Sequence, residues 1–172
     1  MVEDTDKRNL VYLSIGTNMG DRKANIEAAS QALSKFSKVV ATSSIFETEA
    51  WGDIPLNPFY NIVLAIKTKI NPHDLLLACQ QIEFEMGRVK QLSQVYENRV
   101  IDIDLLFFND EIVQTNTLTI PHSLLCKRLF VLKPLVDLAP ELIHPVQNKS
   151  ISDLLSICDD ETVVRKIKLR II

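Results

Sequence analysis

The chain has 172 residues, of which 47% are hydrophobic, so it can bury the core of one ordinary domain. Its formal net charge of −3 argues against a protein that coats a nucleic-acid backbone, because such surfaces are usually strongly basic. The three cysteines are widely spaced without a CxxC pair, which predicts free, reduced thiols. A polar start without an apolar signal segment, and the lack of any long apolar run, predict a cytoplasmic protein.

The first predicted elements are a strand and a helix. Residues 10–15 form a short β-type run that ends in a turn-rich segment, residues 16–21, with two glycines. A helix of about four turns then begins at Arg22, with Asp21 as its candidate N-cap. Its buried positions recur at steps of three and four residues: Ile26, Ala29, Leu33 and Phe36.

Two further strands are predicted in residues 39–46 and 59–68, which are rich in β-branched residues and suit antiparallel neighbours. The loop between them contains the only tryptophan, Trp51, together with a glycine and two prolines. Long loops with an aromatic residue often close over ligands. The alternative is that Trp51 is a hydrophobic plug over the sheet edge.

A second helix is predicted to begin at Asn71, as N-cap, with Pro72 in the first helical position, and to end at Gly87. A strand over residues 99–108 follows. The order β-α-β-β-α-β predicts an α+β fold with a ferredoxin-like core, an antiparallel sheet flanked by helices, and C-terminal additions. We expect a single domain over residues 1–172, with a flexible tail at 1–9 and a C-terminal extension at 160–172 that is either a pairing strand or another ordered segment.

Two acids interrupt the most apolar run of the sequence, on the last of these strands. Asp102 and Asp104 are two residues apart and therefore share a strand face, about 6.5 to 7 Å from each other. A divalent cation would relieve their repulsion, which predicts a metal site. The alternative is that both acids simply face water. Strict alternation along this strand predicts one face with Ile101, Ile103, Leu105 and Phe107. It predicts an opposite face with Val100, Asp102, Asp104 and Leu106.

The basic residues near these acids suit phosphoryl-type transfer, in which metals bridge phosphate oxygens and guanidinium groups neutralise moving charge. Arg88, Lys90 and Arg99 lie within a short distance in sequence. His122 could donate a hydrogen bond to a phosphate, although a lone histidine is more often satisfied locally.

Seven motifs resemble, in order and spacing, the 6-hydroxymethyl-7,8-dihydropterin pyrophosphokinase family of folate synthesis. The resemblance covers about residues 10–155, and the Arg-x-x-Asp-x-Asp run is its most specific part. The motifs are YLSIGTN (12–18), FET (46–48), FYN (59–61), EFEMGR (83–88), RVIDID (99–104), LTIPH (118–122) and RLF (128–130).

The resemblance implies transfer of diphosphate from ATP to the pterin hydroxymethyl group, with release of AMP, by a monomer or weak homodimer that binds neither nucleic acid nor membrane. It implies two Mg²⁺ ions on Asp102 and Asp104, with Arg88 and Arg99 at the phosphates. It also implies pterin stacking between two aromatic faces, Phe59 and Phe130. The implied nucleotide and triphosphate residues are Gln80, Glu83, Lys90, Ile103, Leu105, Thr119, His122 and Arg128. The remaining implied pterin residues are Thr48, Asn61 and the loop of Trp51.

The segment between Arg88 and Arg99 departs from the family pattern. Lys90 and Gln91 stand where many relatives have an arginine and a lysine, and Asn98 replaces a proline. A rival function is a non-catalytic ferredoxin-like module that binds nucleic acid or another ligand. Asp102 and Asp104 would repel a phosphate backbone unless metals intervened, which favours the enzyme.

Overall fold

A computed structural model describes residues 8–49, 57–88 and 98–168 of the chain. Within these ranges no helix is long and apolar enough to cross a membrane. The predicted Trp51 and Lys90 lie outside the described residues. The elements in chain order are β1 (Asn9–Thr17), α1 (Arg22–Leu33), β2 (Ser37–Thr42), β3 (Phe46–Thr48), β4 (Phe59–Thr68), α2 (Pro72–Glu85), β5 (Asp102–Phe108), β6 (Val113–Gln114), β7 (Thr119–Ile120), a 3-10 turn (Leu125–Lys127), α3 (Leu129–Leu138), β8 (Ile143–His144), β9 (Lys149–Ser150), α4 (Ile151–Ser156) and β10 (Val164–Lys166).

The main sheet has the strand order β10-β3-β4-β1-β5, and β2 also pairs with β4. All its pairings are antiparallel. In the β-α-β-β-α-β plan, the first strand is β1, the second is β2 together with β3, the third is β4 and the fourth is β5. The fourth strand therefore lies beside the first, and the third lies between the first and the second. The predicted ferredoxin-like α+β core is confirmed, and β10 continues the sheet beyond it.

The predicted strand over residues 39–46 is two strands, because β2 and β3 pair with successive parts of one edge of β4. Ser43 lies at the break. Its backbone N–H donates to the carbonyl of Val63 at 2.9 Å, and its hydroxyl accepts the N–H of Val63 at 2.9 Å. A side-chain oxygen thus replaces one ladder acceptor, and the chain can bend without leaving β4 unpaired.

A β-bulge interrupts β5 where it pairs with β1. Leu13 pairs with Leu105 and Tyr12 pairs with Phe107, so Leu106 is an extra residue without its own partner in β1. The prediction that Phe107 shares a face with Ile103 is wrong for this reason. Leu106 and Phe107 pack with the helices of one face, whereas Ile103 and Leu105 belong to the other core.

Helices cover both faces of the sheet. The core on one face joins β1, β4 and β5 to α1 and α2, through residues such as Ile26, Leu33 and Leu75. The core on the other face packs Phe107 and its neighbours against α3 and α4. With both faces covered, a ligand can reach the sheet at the ends of its strands and along the outer side of the edge strand β5.

The helix ends follow the predicted capping residues. The side chains of Asp21 and Asn71 accept the N–H groups of Ala24 and Asp74, each at 3.0 Å. Gly87, with φ of 97°, ends α2 in the left-handed conformation that glycine adopts freely.

Helix α1 is shorter than predicted, and α3 contains a proline. The helix α1 ends at Leu33, one turn before the predicted Phe36, and the hydroxyl of Ser37 donates to the terminal carbonyl of Leu33 at 2.8 Å. Pro134 lies inside α3 and does not break it, although it lacks the N–H that would bond the carbonyl of Phe130.

Candidate active site

The two acids of β5 lie half-buried at the end of the strand that faces the β1–α1 loop. Asp102 is opposite Gly16 of β1 in the antiparallel register, and Asp104 is opposite Ser14. Because the bulge comes after Leu105, the regular alternation still holds between the two acids, and both side chains project from one face.

Both oxygens of the Asp102 carboxylate bind arginine. Arg88 Nη1 lies 2.6 Å from Oδ1, and Arg99 Nη1 lies 2.5 Å from Oδ2. Arg88 comes from the segment just after α2, and Arg99 from the residues before β5, so two separate elements place a guanidinium at one carboxylate. The sequence-predicted group of Arg88, Arg99 and Asp102 is therefore in direct contact.

Glu83 is a buried acid on α2 that anchors this group. Its Oε1 accepts the backbone N–H of Ile103 at 2.7 Å and lies 2.5 Å from Arg88 Nη1. Burial raises the pKa of Glu83 to about 7, while the Ile103 hydrogen bond and Arg88 oppose that rise. Glu83 thus fastens α2 to β5 and holds Arg88 beside Asp102.

Asp104 and His122 influence each other across the site. Burial, and then the charge of Asp102, raise the pKa of Asp104, whereas His122 and Arg128 lower it. Burial lowers the pKa of His122, and the nearby carboxylates oppose that change. The backbone N–H of His122 donates to the carbonyl of Leu106 at 3.1 Å, so β5 itself fixes the histidine near the acids.

A cleft of about 280 Å³ opens beside Asp104. Its walls contain four residues that the sequence analysis placed at the nucleotide: Ile103, Leu105, Thr119 and His122. Gln80, on α2, is not among the lining residues of this cleft. The other lining residues were not predicted from the sequence, and most of them belong to the polar loop before β7: Leu76, Thr115, Asn116, Thr117, Leu118 and Ser123.

A second group of predicted residues lies where β3 and β4 pair. The buried side chains of Thr48 and Asn61 are joined by a hydrogen bond from Asn61 Nδ2 to the Thr48 hydroxyl, at 2.9 Å. Phe59 pairs with Thr48 in the register. Gly16 keeps the backbone of β1 close to them, because a Cβ there would lie 3.1 Å from Asn61 Oδ1 and 3.9 Å from the Phe59 ring.

Phe130 and Arg128 belong to the start of α3. The Arg128 guanidinium carbon lies 5.5 Å from the centre of the Phe130 ring, within the range of a cation–π contact. The register and contacts place Thr48, Phe59 and Asn61 in one group and Arg128 and Phe130 in another.

Asn18 was also not predicted as a site residue, although its side chain accepts the backbone N–H of Arg99. The signal was present in the sequence: a polar residue directly follows a buried strand, in a turn-rich segment. Its partners lie about 40 and 80 residues away along the chain, and no local pattern identifies them.

The donor set suits magnesium with a phosphate ligand. Among the described residues, no group of three or more His, Cys, Asp and Glu side chains is arranged to hold a metal ion. Mg²⁺ is usually bound by one or two carboxylates, with substrate phosphates and water completing its shell. Asp102 and Asp104 supply that number, and a metal at Asp102 would compete with the two guanidinium groups.

Comparison with known proteins identifies a family and several relatives. The family described as 7,8-dihydro-6-hydroxymethylpterin-pyrophosphokinase (HPPK) matches residues 12–140. The 2-amino-4-hydroxy-6-hydroxymethyldihydropteridine pyrophosphokinase of Aquifex aeolicus is 38% identical over 143 residues, covering 83% of this chain and 88% of the relative. The enzyme of the same name from Porphyromonas gingivalis is 41% identical over 139 residues, covering 79% and 94%.

Other relatives are much longer than this chain. The folic acid synthesis protein FOL1 of Dictyostelium discoideum is 42% identical over 139 residues, which cover 80% of this chain but only 20% of that protein. The crystal structure of Plasmodium falciparum HPPK-DHPS, wild type with STZ-DHP, matches with a TM-score of 0.70 at 21% identity, covering 89% of this chain and 44% of that one. At that identity the structural match shows the shared fold alone.

Proposed function

The chain belongs to the 7,8-dihydro-6-hydroxymethylpterin-pyrophosphokinase family, and we propose that the acidic end of β5 carries its reaction. The protein is a pyrophosphokinase of folate biosynthesis, which transfers diphosphate from ATP to the hydroxymethyl group of 6-hydroxymethyl-7,8-dihydropterin and releases AMP. The observation that carries the proposed site is the contact of Asp102 with Arg88 and Arg99, beside Asp104 and the open cleft.

The cleft beside Asp104 is the proposed nucleotide site. Apolar side chains, Leu76 and Leu118, offer a surface for the base, and the surrounding threonines and asparagine offer hydrogen bonds. His122 lines this cleft together with Asp104, and we expect it to meet the triphosphate there. Burial lowers the pKa of His122, and a ring N–H could donate a hydrogen bond to a phosphate oxygen. Gln80, Glu83, Lys90 and Arg128 complete the proposed nucleotide set.

Asp102 and Asp104 are the proposed ligands of two Mg²⁺ ions that enter with ATP. Ions bound there would neutralise the phosphate oxygens and help to align them for transfer. If Asp102 held a metal ion in place of its guanidinium partners, Arg88 and Arg99 would be available to the phosphates. Arg88 remains anchored by Glu83, so it would not drift from the site. Positive charge from both arginines would stabilise the charge that develops on the departing AMP.

The pterin is proposed to bind at the start of β4. Thr48 and Asn61 are buried polar side chains that can hydrogen-bond the edge of a heteroaromatic ring. Phe59 and Phe130 would cover its two faces, since a flat ring gains burial and stacking between aromatic side chains. Gly16 leaves the space above Asn61 open. The loop of Trp51 is proposed to contribute backbone contacts.

The last part of the proposal concerns domain organisation, oligomeric state and partners. We infer a single cytoplasmic domain over residues 1–172 that works as a monomer or a weak homodimer and binds neither nucleic acid nor membrane. Support comes from the acidic site, the negative net charge and the continuous sheet that joins β10 near the end of the chain to β3.

The proposed site is tested by replacing each acid and measuring AMP release. We expect Asp102→Ala and Asp104→Ala each to abolish magnesium-dependent, pterin-dependent AMP formation, because each would remove a metal ligand. Asp110→Ala is the matched control: this exposed acid lies in the turn after β5, and its loss should leave the rate unchanged. Retained turnover in a folded Asp102 or Asp104 variant would disprove the metal assignment.

A further inference from the structure

Asn18 is a buried side chain that joins three segments of the chain around the proposed site. It is 1% exposed and lies just after β1. Its Oδ1 accepts the backbone N–H of Arg99 at 2.6 Å, and its own backbone N–H donates to the Arg99 carbonyl at 3.0 Å. Its Nδ2 donates to the carbonyl of Asn57 at 3.0 Å and to Asn98 Oδ1 at 2.7 Å.

The orientation of both amides is determined by their partners. The N–H of Arg99 can only donate and the carbonyl of Asn57 can only accept, so Asn18 must point its oxygen at the first and its nitrogen at the second. Asn98 Oδ1 receives two donors, the amide of Asn18 and the backbone N–H of Asn57 at 3.3 Å. The three asparagines therefore form one network in which Asn18 uses both ends of its amide.

This network connects the two halves of the proposed site. On one side, Asn18 holds the main chain of Arg99 by two hydrogen bonds, one through its side chain and one through its backbone N–H. The Arg99 guanidinium lies 2.5 Å from Asp102. On the other side, Asn57 comes two residues before Phe59, the first residue of β4. A shift of about 1 Å in a reacting group can cost on the order of 100-fold in rate, so fixing this separation matters for transfer between two substrates.

We propose that Asn18 is a positioning residue that holds Arg99 against Asp102 and ties it to the pterin end of β4, with Asn98 as its second anchor. The inference rests on the proposed function, because it assigns the two connected segments to the two substrates. It predicts that the network transmits binding energy between the sites: the Mg²⁺-bound ATP analogue should strengthen pterin binding less when the network is cut.

The experiment measures the pterin Kd by calorimetry with and without Mg²⁺ and a non-hydrolysable ATP analogue. The ratio of the two values is the coupling factor. We expect Asn18→Ala and Asn18→Asp to lower this factor about tenfold. Alanine removes all three side-chain hydrogen bonds, and aspartate removes the donor to Asn57 and Asn98. Asn98→Ala should lower it less, because Asn98 is exposed and water can replace its oxygen. Asn98→Asp should restore most of it, since an aspartate keeps the acceptor oxygen.

Asn109→Ala separates positioning from simple loss of stability. Asn109 also links distant segments, since its Oδ1 accepts the N–H of Leu10 at 2.9 Å, and its φ is 49°. It lies at the end of β5 remote from the acids, and alanine there would destabilise the fold. We expect this control to lower the urea midpoint without changing the coupling factor or kcat.

Three results would overturn the inference. One is a coupling factor in Asn18→Asp equal to that of the unchanged protein. Another is an equal fall in coupling for Asn109→Ala, which would make the effect one of stability. The third is the failure of the unchanged protein to bind pterin and nucleotide, which would overturn the proposed function as well. If Asn18 variants do not fold, the Asn98→Ala and Asn98→Asp pair decides, since identical coupling in both and in the unchanged protein would contradict the proposal.

Discussion

Arg88 and Arg99 bind the same carboxylate but are held in different ways. Arg88 Nη1 is shared between Glu83 and Asp102, so its position is fixed by a buried acid on α2. Arg99 is positioned through its backbone, and its guanidinium meets the other oxygen of Asp102. The guanidinium group of Arg88 is therefore held in place, whereas Arg99 is held at its backbone. The side chain of Arg99 can then turn from the carboxylate to a phosphate.

Arg99, which contacts Asp102, should matter more for the reaction rate than Lys90. We expect Arg99→Ala to lower kcat/KM by about 100- to 1,000-fold, the usual loss when a preorganised donor to developing charge is removed. Lys90→Ala, in the segment outside the described residues, should cost less than about tenfold, because a lysine there acts as a point charge. Steady-state AMP formation measures both.

Arg99→Lys is the matched variant, because it keeps the charge but loses the planar fork. Its rate should fall between those of the unchanged protein and Arg99→Ala. Equal losses in Arg99→Ala and Lys90→Ala would contradict the ranking.

Glu83 makes the stability of the protein depend on pH. Its pKa of about 7 in the folded state exceeds the ordinary value of 4.5, so the folded state binds the proton more tightly than the unfolded chain. The contribution of Glu83 to the free energy of unfolding therefore falls as pH rises between these values, and is constant above about pH 7. Glu83→Gln removes this titration while keeping an oxygen for the Ile103 N–H.

The measurement is urea unfolding of both proteins from pH 5 to pH 8. The difference in unfolding free energy should move in favour of Glu83→Gln by about 1 to 3 kcal/mol across that range. Asp104 titrates in both proteins, so its effect cancels in the comparison. A difference that does not change with pH would show that Glu83 is ionised throughout.

Among the elements, the helices and most strands could be predicted because their signals are local. Capping residues, glycine at a helix end and apolar spacing belong to the segment that they describe. The bulge at Leu106 could not be predicted in this way, since it depends on how β5 pairs with β1, about 90 residues earlier in the chain. For the same reason, the side of the sheet on which Phe107 and Phe108 pack depends on how β5 pairs with β1, and simple alternation does not give it.

The candidate site shows the same division. The sequence pattern placed Asp102 and Asp104 on one strand face, but left open whether they hold metal or face water. The resemblance to a family supplied the more distant members, such as His122 and Glu83. What neither supplied is the network of Asn18, because its geometry arises only when three remote segments meet.

The cap of α2 gives a test that belongs to the helix and not to the site. The Asn71 side chain accepts the N–H of Asp74 at 3.0 Å, at the end of α2 remote from Glu83. Asn71→Ala should lower the free energy of unfolding by about 1 kcal/mol. Asn71→Ser should retain most of that stability, since a serine hydroxyl can also accept the N–H of Asp74. A fall in kcat in Asn71→Ala, measured where the protein is fully folded, would contradict the separation of cap and site.

For the molecule as a whole, β10 completes the side of the sheet that carries Thr48. Val164 pairs with Thr48, and Lys166 Nζ lies 2.5 Å from Asp137 Oδ1 on α3. The strand β3 has only three residues, and β10 covers an edge that would otherwise be unpaired. Residues near the end of the sequence thus support the part of the sheet where the pterin is proposed to bind.

Truncation after Glu161 tests this long-range support. We expect the pterin Kd to rise by at least about tenfold while the nucleotide Kd changes little, because β3 would lose its outer partner and the cleft beside Asp104 would not. Calorimetry with each ligand alone measures the two values, and urea unfolding shows that the truncated chain is folded. Equal weakening of both ligands would indicate a general loss of structure.

The most direct test of the whole account is the identity of the products. Phosphorus NMR of the protein with ATP, Mg²⁺ and 6-hydroxymethyl-7,8-dihydropterin should show AMP and the pterin diphosphate appearing in equal amounts, with neither formed when the pterin is omitted. Formation of ADP with a pterin monophosphate, or AMP formation independent of the pterin, would contradict diphosphate transfer at the acidic end of β5.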